Sequence, residues 1–294
     1  MSIITIPFRG ETKKLNDETR ATLPGQFITL PEGVTHYEIG GPDDGAKVVL
    51  IHGFSVPYFI WDPTYDALTV AGYRVLRYDL YGRGYSDRPH VKYNHDLFDR
   101  QLSDLLSALE FNTPVNIIGL SMGGVIAATF TARHPKMVKK IGLIDPAGFP
   151  IDFPRIIQLV RVPVIGEVLF ILMGGEFLIK GIAKDFFDPK DLEMFSVQYR
   201  EAMQYKGFLR AILSTIRTGV AEDDLGAYKQ IARSGHATIL FWGREDKTIA
   251  FKYSQKLIEF IPQIEFHPID DCGHIPHFER PEILNPLLIE YLGR

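Results

Sequence analysis

The 294-residue chain contains a single cysteine, Cys272. An internal disulfide is therefore excluded, and the composition suits a reducing compartment, so a cytoplasmic location is expected. Charge of one sign is also scarce. The 32 Lys and Arg against 36 Asp and Glu leave a net charge of −4 with no basic cluster, and nothing points to nucleic acid. No apolar run is long and clean enough for a membrane span. The most apolar stretch, residues 156–178, is broken by Arg161, Pro163, Glu167 and Glu176. The first residues lack a basic start followed by an apolar segment, so no signal peptide is expected. Internal repeats and low-complexity tracts are missing too. At this length the chain makes one large α/β domain or two ordinary ones.

What is present is an alternation of two patterns. Short apolar runs at 27–30, 35–39, 47–51, 73–80, 115–118, 139–144, 238–242 and 265–269 read as strands. Helical patterns stand between the later ones, at 61–71, from Asn94 to Leu109, from Gly124 onward, at 250–260 and up to Leu292. Asn94 is placed to cap a helix whose leucines at 97, 102, 105, 106 and 109 form one apolar stripe. Such alternation implies a mostly parallel sheet covered on both faces, with its chemistry in loops beyond the carboxyl ends of the strands. From Phe149 to Ser234 the alternation stops and the pattern is helical, with Asp188-Pro189 as one start signal. The organisation expected is a core of residues 1–148, a helical insert over 149–234, and a second core segment over 235–294. Residues 1–25 are a weakly patterned extension that either packs on the body or frays.

Gly119-Leu120-Ser121-Met122-Gly123 stands between a strand and a helix. That is the context in which G-x-S-x-G presents a nucleophile on a tight, strained turn, with free helix N–H groups behind it. Bulky residues at 119 or 123 would collide with the adjoining strand and helix. A serine hydroxyl needs a base, and a histidine base needs a carboxylate on its other nitrogen. His274 and Asp246 each follow an expected strand, in the chain order Ser…Asp…His. Asp145, at the end of the 139–144 strand, is an alternative acid. His277 is the nearest rival histidine, with a supporting or surface role expected. Arg83 reads as a structural loop residue bonded to local carbonyls, Trp61 as packing, and Cys272 as a small buried hydrophobe.

These segments, together with His52-Gly53-Phe54, Asp79-Leu80-Tyr81-Gly82-Arg83-Gly84-Tyr85-Ser86 and Cys272-Gly273-His274-Ile275-Pro276-His277, resemble the α/β-hydrolase family over residues 26–148 and 236–294. The resemblance implies an α/β fold with a mostly parallel eight-stranded sheet, helices on both faces, and a helical cap in the place of the insert. It implies Ser121 as nucleophile, Asp246 as acid, His274 as base, and an oxyanion hole of the Phe54 and Met122 N–H groups. It calls for no cofactor and no metal. Serine at the turn argues against dehalogenase and epoxide hydrolase chemistry, which resembling enzymes run from an aspartate there. The expected activity is hydrolysis of lipophilic carboxylic esters of short to medium chain. The alternatives are C–C hydrolysis of ring-fission dienoic acids, perhydrolysis, and a purely binding role. The expected partner is a small-molecule ester, with homodimerisation open.

Overall fold

The computed structural model describes residues 10–150, 155–222 and 225–294. The readings that fall on residues 1–9 and on Phe153, and the side chains of Ile156 and Ile157, lie outside the described residues.

Eight strands form one sheet: β1 Gln26–Leu30, β2 Gly33–Gly40, β3 Lys47–Ile51, β4 Arg74–Tyr78, β5 Val115–Leu120, β6 Val138–Ile144, β7 Ala237–Gly243 and β8 Glu265–Ile269. Their order is β1-β2-β4-β3-β5-β6-β7-β8. β1 and β2 make an antiparallel hairpin, and β2 lies antiparallel on β4. Every later pairing is parallel. The central strands read as unbroken apolar runs because both of their faces are covered. In β3, Val48 and Leu50 face one apolar cluster while Val49 and Ile51 face the other, the period of two a strand imposes. Burying each such side chain contributes about 1.5–3 kcal/mol before ordering entropy is set against it.

The helices are α1 Asp17–Arg20, α2 Asp62–Val70, α3 His95–Ala108, α4 Met122–Arg133, α5 Arg155–Arg161, α6 Ile165–Leu169, α7 Gly175–Asp185, α8 Leu192–Met203, α9 Phe208–Thr218, α10 Leu225–Ser234, α11 Tyr253–Phe260, α12 Pro276–Glu279 and α13 Pro281–Gly293. The Asn94 side chain accepts from the Leu97 N–H, and Leu97, Leu102, Leu105 and Leu106 are buried, as the stripe requires. Asp188 accepts from the Lys190 N–H and opens a short 3₁₀ turn, after which α8 buries Phe195 and Tyr199.

The helices between β6 and β7 do not behave alike. Side chains from α5 and from α7 to α9 (Val160, Leu178, Ile182, Phe195, Tyr199, Phe208 and Ile212) share the cluster that holds Trp61 of the α2 side and Leu284 of α13. Those of α10 (Ala227, Tyr228 and Ile231) join the opposite cluster, with Val125 of α4 and Leu102 of α3. Among the apolar residues of the insert, Val160, Phe170 and Leu178 are buried, whereas Leu159, Leu172, Met173 and Phe177 are exposed.

The N-terminal extension packs on the insert from residue 11 onward. Lys13 and residues 204–206 exchange backbone hydrogen bonds, Lys13 N–H to Gln204 O and Lys206 N–H to Lys13 O, both at 2.9 Å. Glu11 is buried, and its carboxylate accepts from the N–H groups of Gly207 (2.8 Å) and Leu209 (2.7 Å) at the start of α9. Gly207 has no side chain to cap that helix, so a residue far earlier in the chain supplies the acceptor and a favourable negative charge. Glu11→Ala leaves two buried N–H groups without a partner. Urea unfolding is expected to show a loss of about 1–3 kcal/mol; an unchanged midpoint would show that the extension does not hold α9.

Candidate active site

β5 ends at Leu120, and Ser121 leads into α4 with φ 53° and ψ −120°. A non-glycine residue there is strained by about 1–3 kcal/mol. The turn is held by Ser121 N–H to Ile144 O (2.9 Å) and by Ala147 N–H to Ser121 O (3.0 Å). A Cβ at 119 would lie 2.2 Å from the Gly123 carbonyl oxygen, and one at 123 would lie 2.2 Å from that of Ile51. Only glycine fits either position, as the sequence pattern demands. Met122 is the first residue of α4, so its N–H belongs to those a helix leaves without an intrahelical acceptor.

The other expected site residues lie at the same edge of the sheet. His274 Nδ1 and Asp246 Oδ2 are 2.7 Å apart, both buried. The second Asp246 oxygen accepts from the N–H groups of Thr248 (2.7 Å) and Ile249 (2.8 Å). The carboxylate is thereby oriented, and it holds the imidazole with Nδ1 protonated and Nε2 as the free base. Burial pulls the His274 pKa down, but the Asp246 charge and hydrogen bond, with Asp185 behind them, bring it above the ordinary 6.5. Ser121 stands at the end of β5, two strands from β7, which leads to Asp246, and three from β8, which leads to His274. Among the described residues its hydroxyl makes no hydrogen bond to His274, and unliganded sites commonly hold this contact loose.

Asp145 lies beside the pair: Asp145, Asp246 and His274 place one polar atom each within 4.8 Å of one another. Asp145 Oδ1 accepts from Gly243 N–H at 3.0 Å. Burial first, then the Asp246 charge, raises its pKa well above that of an ordinary carboxyl. Asp246 is already engaged by two N–H groups and an imidazole, which makes the three a poor metal ligand set.

His52 precedes the proposed oxyanion loop. Burial lowers its pKa to about 4. The neutral ring accepts from Leu80 N–H at Nε2 (2.9 Å), leaving Nδ1 as donor to Gly53 O (3.0 Å). This ties the loop to the end of β4. A Cβ on Gly53 would sit 3.3 Å from Ser121 Cβ, so the Gly53-Phe54 backbone passes directly beside the serine. Arg83 is buried and donates to the carbonyls of Phe54 (2.8 Å) and Tyr81 (3.2 Å), as expected of a structural loop residue, and also to Thr215 Oγ1 of α9 (2.9 Å). Trp61 is fully buried against the His277 ring. Burial lowers the His277 pKa to about 3, so it is a neutral packing group and not a surface residue. Cys272 is buried, and burial pushes its thiol pKa up.

Sequence reasoning missed Asp185, Thr248 and Glu279. Asp185 belongs to the insert, yet its backbone carbonyl accepts from His274 N–H at 2.7 Å and its side chain accepts from the Thr248 hydroxyl. Glu279 is buried and accepts from Gly273 N–H at 2.7 Å. No local pattern marks these contacts. The one available signal is that Glu279 is an acid in a short helix directly after the His274 loop.

A family model described as alpha/beta hydrolase family matches residues 48–287. Lipase 3 of a Moraxella species is 28% identical over 276 residues, covering 90% of this chain and 82% of its own. The 2-hydroxy-6-oxononadienedioate/2-hydroxy-6-oxononatrienedioate hydrolase of Cupriavidus pinatubonensis is 26% identical, covering 91% and 95%. A meta-cleavage product hydrolase structure from Pseudomonas fluorescens superposes with a TM-score of 0.76 at 26% identity, covering 92% of this chain and 97% of that one.

The hydrogen bond of His274 runs to Asp246 of the β7 loop and not to Asp145 of β6. Asp246→Asn is expected to lower kcat by about 10⁴ through the wrong imidazole tautomer, and Asp145→Asn by only a few-fold. Rates of the two purified variants side by side decide it; a silent Asp246→Asn with a severe Asp145→Asn would move the acid to β6.

Proposed function

The chain belongs to the alpha/beta hydrolase family, and from that premise we propose that it is a serine hydrolase of lipophilic carboxylic esters. The observation that carries the reading is Ser121 at positive φ between two obligatory glycines, with a histidine at the same sheet edge already oriented by a buried carboxylate. In this reading Ser121 Oγ attacks the ester carbonyl carbon while His274 Nε2 takes its proton. Asp246 stabilises the imidazolium that forms. The Phe54 and Met122 N–H groups receive the oxyanion, a donor of that kind being worth about 3–4 kcal/mol. His274 returns the proton to the leaving alkoxide, and water then cleaves the acyl-enzyme by the same steps.

Residues α5 to α9 act as the cap in this proposal, with α10 restored to the core by its packing on α4. The cap side near the site is aromatic: Phe186 and Phe195 meet Phe278, and Phe59 meets Phe195, with ring centroids 5.1–6.1 Å apart. Three of its described arginines are engaged elsewhere. Arg161 pairs with Glu222, Arg217 with Glu167, and Arg210 donates to the carbonyls of Arg88 and Pro89. Arg200 is exposed. A dianionic or monoanionic dienoate would need such a cation near the reacting carbon. The similarity to the Cupriavidus and Pseudomonas enzymes supports the second reading, hydrolytic C–C cleavage of a ring-fission dienoic acid, as strongly as the lipase supports the first.

Ser121→Ala is expected to abolish turnover of short 4-nitrophenyl esters with the circular dichroism of the fold unchanged. Activity above about a hundredth of wild type would remove Ser121 from the nucleophile role. Across a 4-nitrophenyl ester series assayed beside a ring-fission dienoate, the highest kcat/KM is expected for an uncharged ester of short to medium chain. Faster turnover of the dienoate than of every ester would reverse the order of the two readings.

A further inference from the structure

We propose that Asp185 is a positioning residue for His274, a carboxylate on the insert that joins the insert to the Asp246–His274 pair through Thr248. The inference rests on the reading of His274 as the base. It starts from where α7 stops. The last residue of that helix is Asp185, and its main-chain carbonyl accepts from His274 N–H at 2.7 Å. Its side chain accepts the Thr248 hydroxyl proton, while the Thr248 N–H donates to Asp246 at 2.7 Å. One threonine therefore holds two carboxylates, one from the core and one from the insert.

The next residues fasten the same junction. One Glu279 oxygen accepts from Phe187 N–H (2.8 Å) and Asp188 N–H (3.1 Å), and the other accepts from Gly273 N–H (2.7 Å). A Cβ on Gly273 would sit 2.3 Å from the Asp185 carbonyl oxygen, so the two segments touch backbone to backbone. The histidine loop and the end of α7 are thus tied to each other through both backbone and side chain.

The charges around this junction are Asp145 from the end of β6, Glu245 and Asp246 from the loop after β7, and His277 and Glu279 from α12. Glu245 accepts from Cys272 N–H. Asp185 is partly buried, and burial pushes its pKa up to about 6, against the opposing pull of His274 and the Thr248 hydroxyl. Desolvation works against the charged form of His274; Asp246 favours that form most, and Asp185 adds to it. The sign follows. Above about pH 6 the Asp185 charge supports the imidazolium that forms when Ser121 loses its proton, and below it that support is withdrawn.

The test is Asp185→Asn in the full chain. Asparagine keeps an oxygen for Thr248 and leaves the main-chain carbonyl in place, so it removes the charge and little else. ¹⁵N NMR of the imidazoles, with His274 assigned by difference from His274→Asn, follows its titration without any turnover. The expected result is a His274 titration moved to lower pH by about half a unit to one unit. The acid limb of kcat for 4-nitrophenyl butyrate should move the same way, with KM within about twofold. A His274 titration that stays in place would reduce Asp185 to a structural tie and overturn the inference, whatever happens to kcat. If Asp185→Asn does not fold, Thr248→Val takes its place, keeping the N–H to Asp246 while cutting the hydroxyl from Asp185. A smaller shift of the same sign is expected there, and no shift overturns the inference. A shifted His274 together with undiminished hydrolysis by Ser121→Ala would support Asp185 and count against the serine-hydrolase reading alone.

Discussion

The turn at Ser121 closes only because residues 119 and 123 carry no Cβ. With that space empty, the first turn of α4 presses against the end of β3, where the Ile51 and His52 carbonyl oxygens would lie 2.2 and 2.5 Å from a Cβ at 123. Two consequences follow from this one contact. Ser121 is forced to positive φ, a strain of about 1–3 kcal/mol that the hydrogen bonds to Ile144 and Ala147 hold in place. The chain leaving β3 is also brought beside the serine, and His52, neutral and bonded at both ring nitrogens, fixes its course. The hydroxyl, the free N–H of Met122 and the Gly53-Phe54 backbone converge because a helix packs on a strand more closely than side chains permit.

The second constraint is charge burial. Asp145, Asp246, Asp185 and Glu279 crowd one imidazole in a region nearly closed to water. An isolated buried carboxylate is costly, and the structure answers differently for each. Asp246 has two N–H donors and the imidazole. Glu279 has three N–H donors from two segments. Asp145 has one, and burial with the neighbouring Asp246 charge raises its pKa. The number of donors thus separates Asp246 and Glu279, which are equipped to carry charge, from Asp145, whose charged form is disfavoured. That sorting is why two aspartates so close together do not compete for His274.

Much of this was legible in the sequence, and the limits have a physical pattern. The β3 and β8 boundaries coincide with those read from the apolar runs, and α3 has its Asn94 cap, because both signals are local. The dihedral strain at Ser121 was legible for the same reason. The side of the sheet on which α10 packs was not, since an amphipathic period shows that a helix buries a face but not against what. The ties of Asp185 to Thr248, Glu279 to Phe187 and Glu11 to Gly207 span 63, 92 and 196 residues. Each is a hydrogen bond between a side chain and a distant turn, with no periodicity to announce it. Tertiary polar contacts of this kind were the part of the site that reading the chain could not supply.

Those long-range ties also bear on which reaction the site performs. In the proposed reading a strained serine, an oriented histidine and two N–H donors would serve ester and C–C hydrolysis alike, so the core would not choose between them. The choice falls to the insert, which is held by Glu11 and Lys13 at the start of α9, by Thr215 to Arg83, and by Asp185 to the histidine loop. These anchors, with the pairings inside the insert, commit three of its arginines. Arg161 and Arg217 are neutralised by Glu222 and Glu167, and Arg210 is bonded to main-chain carbonyls. In the proposed reading the cap wall near the site is aromatic, with Phe186 and Phe195 set against Phe59 and Phe278. An apolar wall gains from burying an alkyl or aryl chain and gains nothing from a carboxylate that must shed its water there. In the proposed reading, the interactions that hold the insert in place also pair three of its described arginines and leave Arg200 as the exposed one, which supports an uncharged substrate.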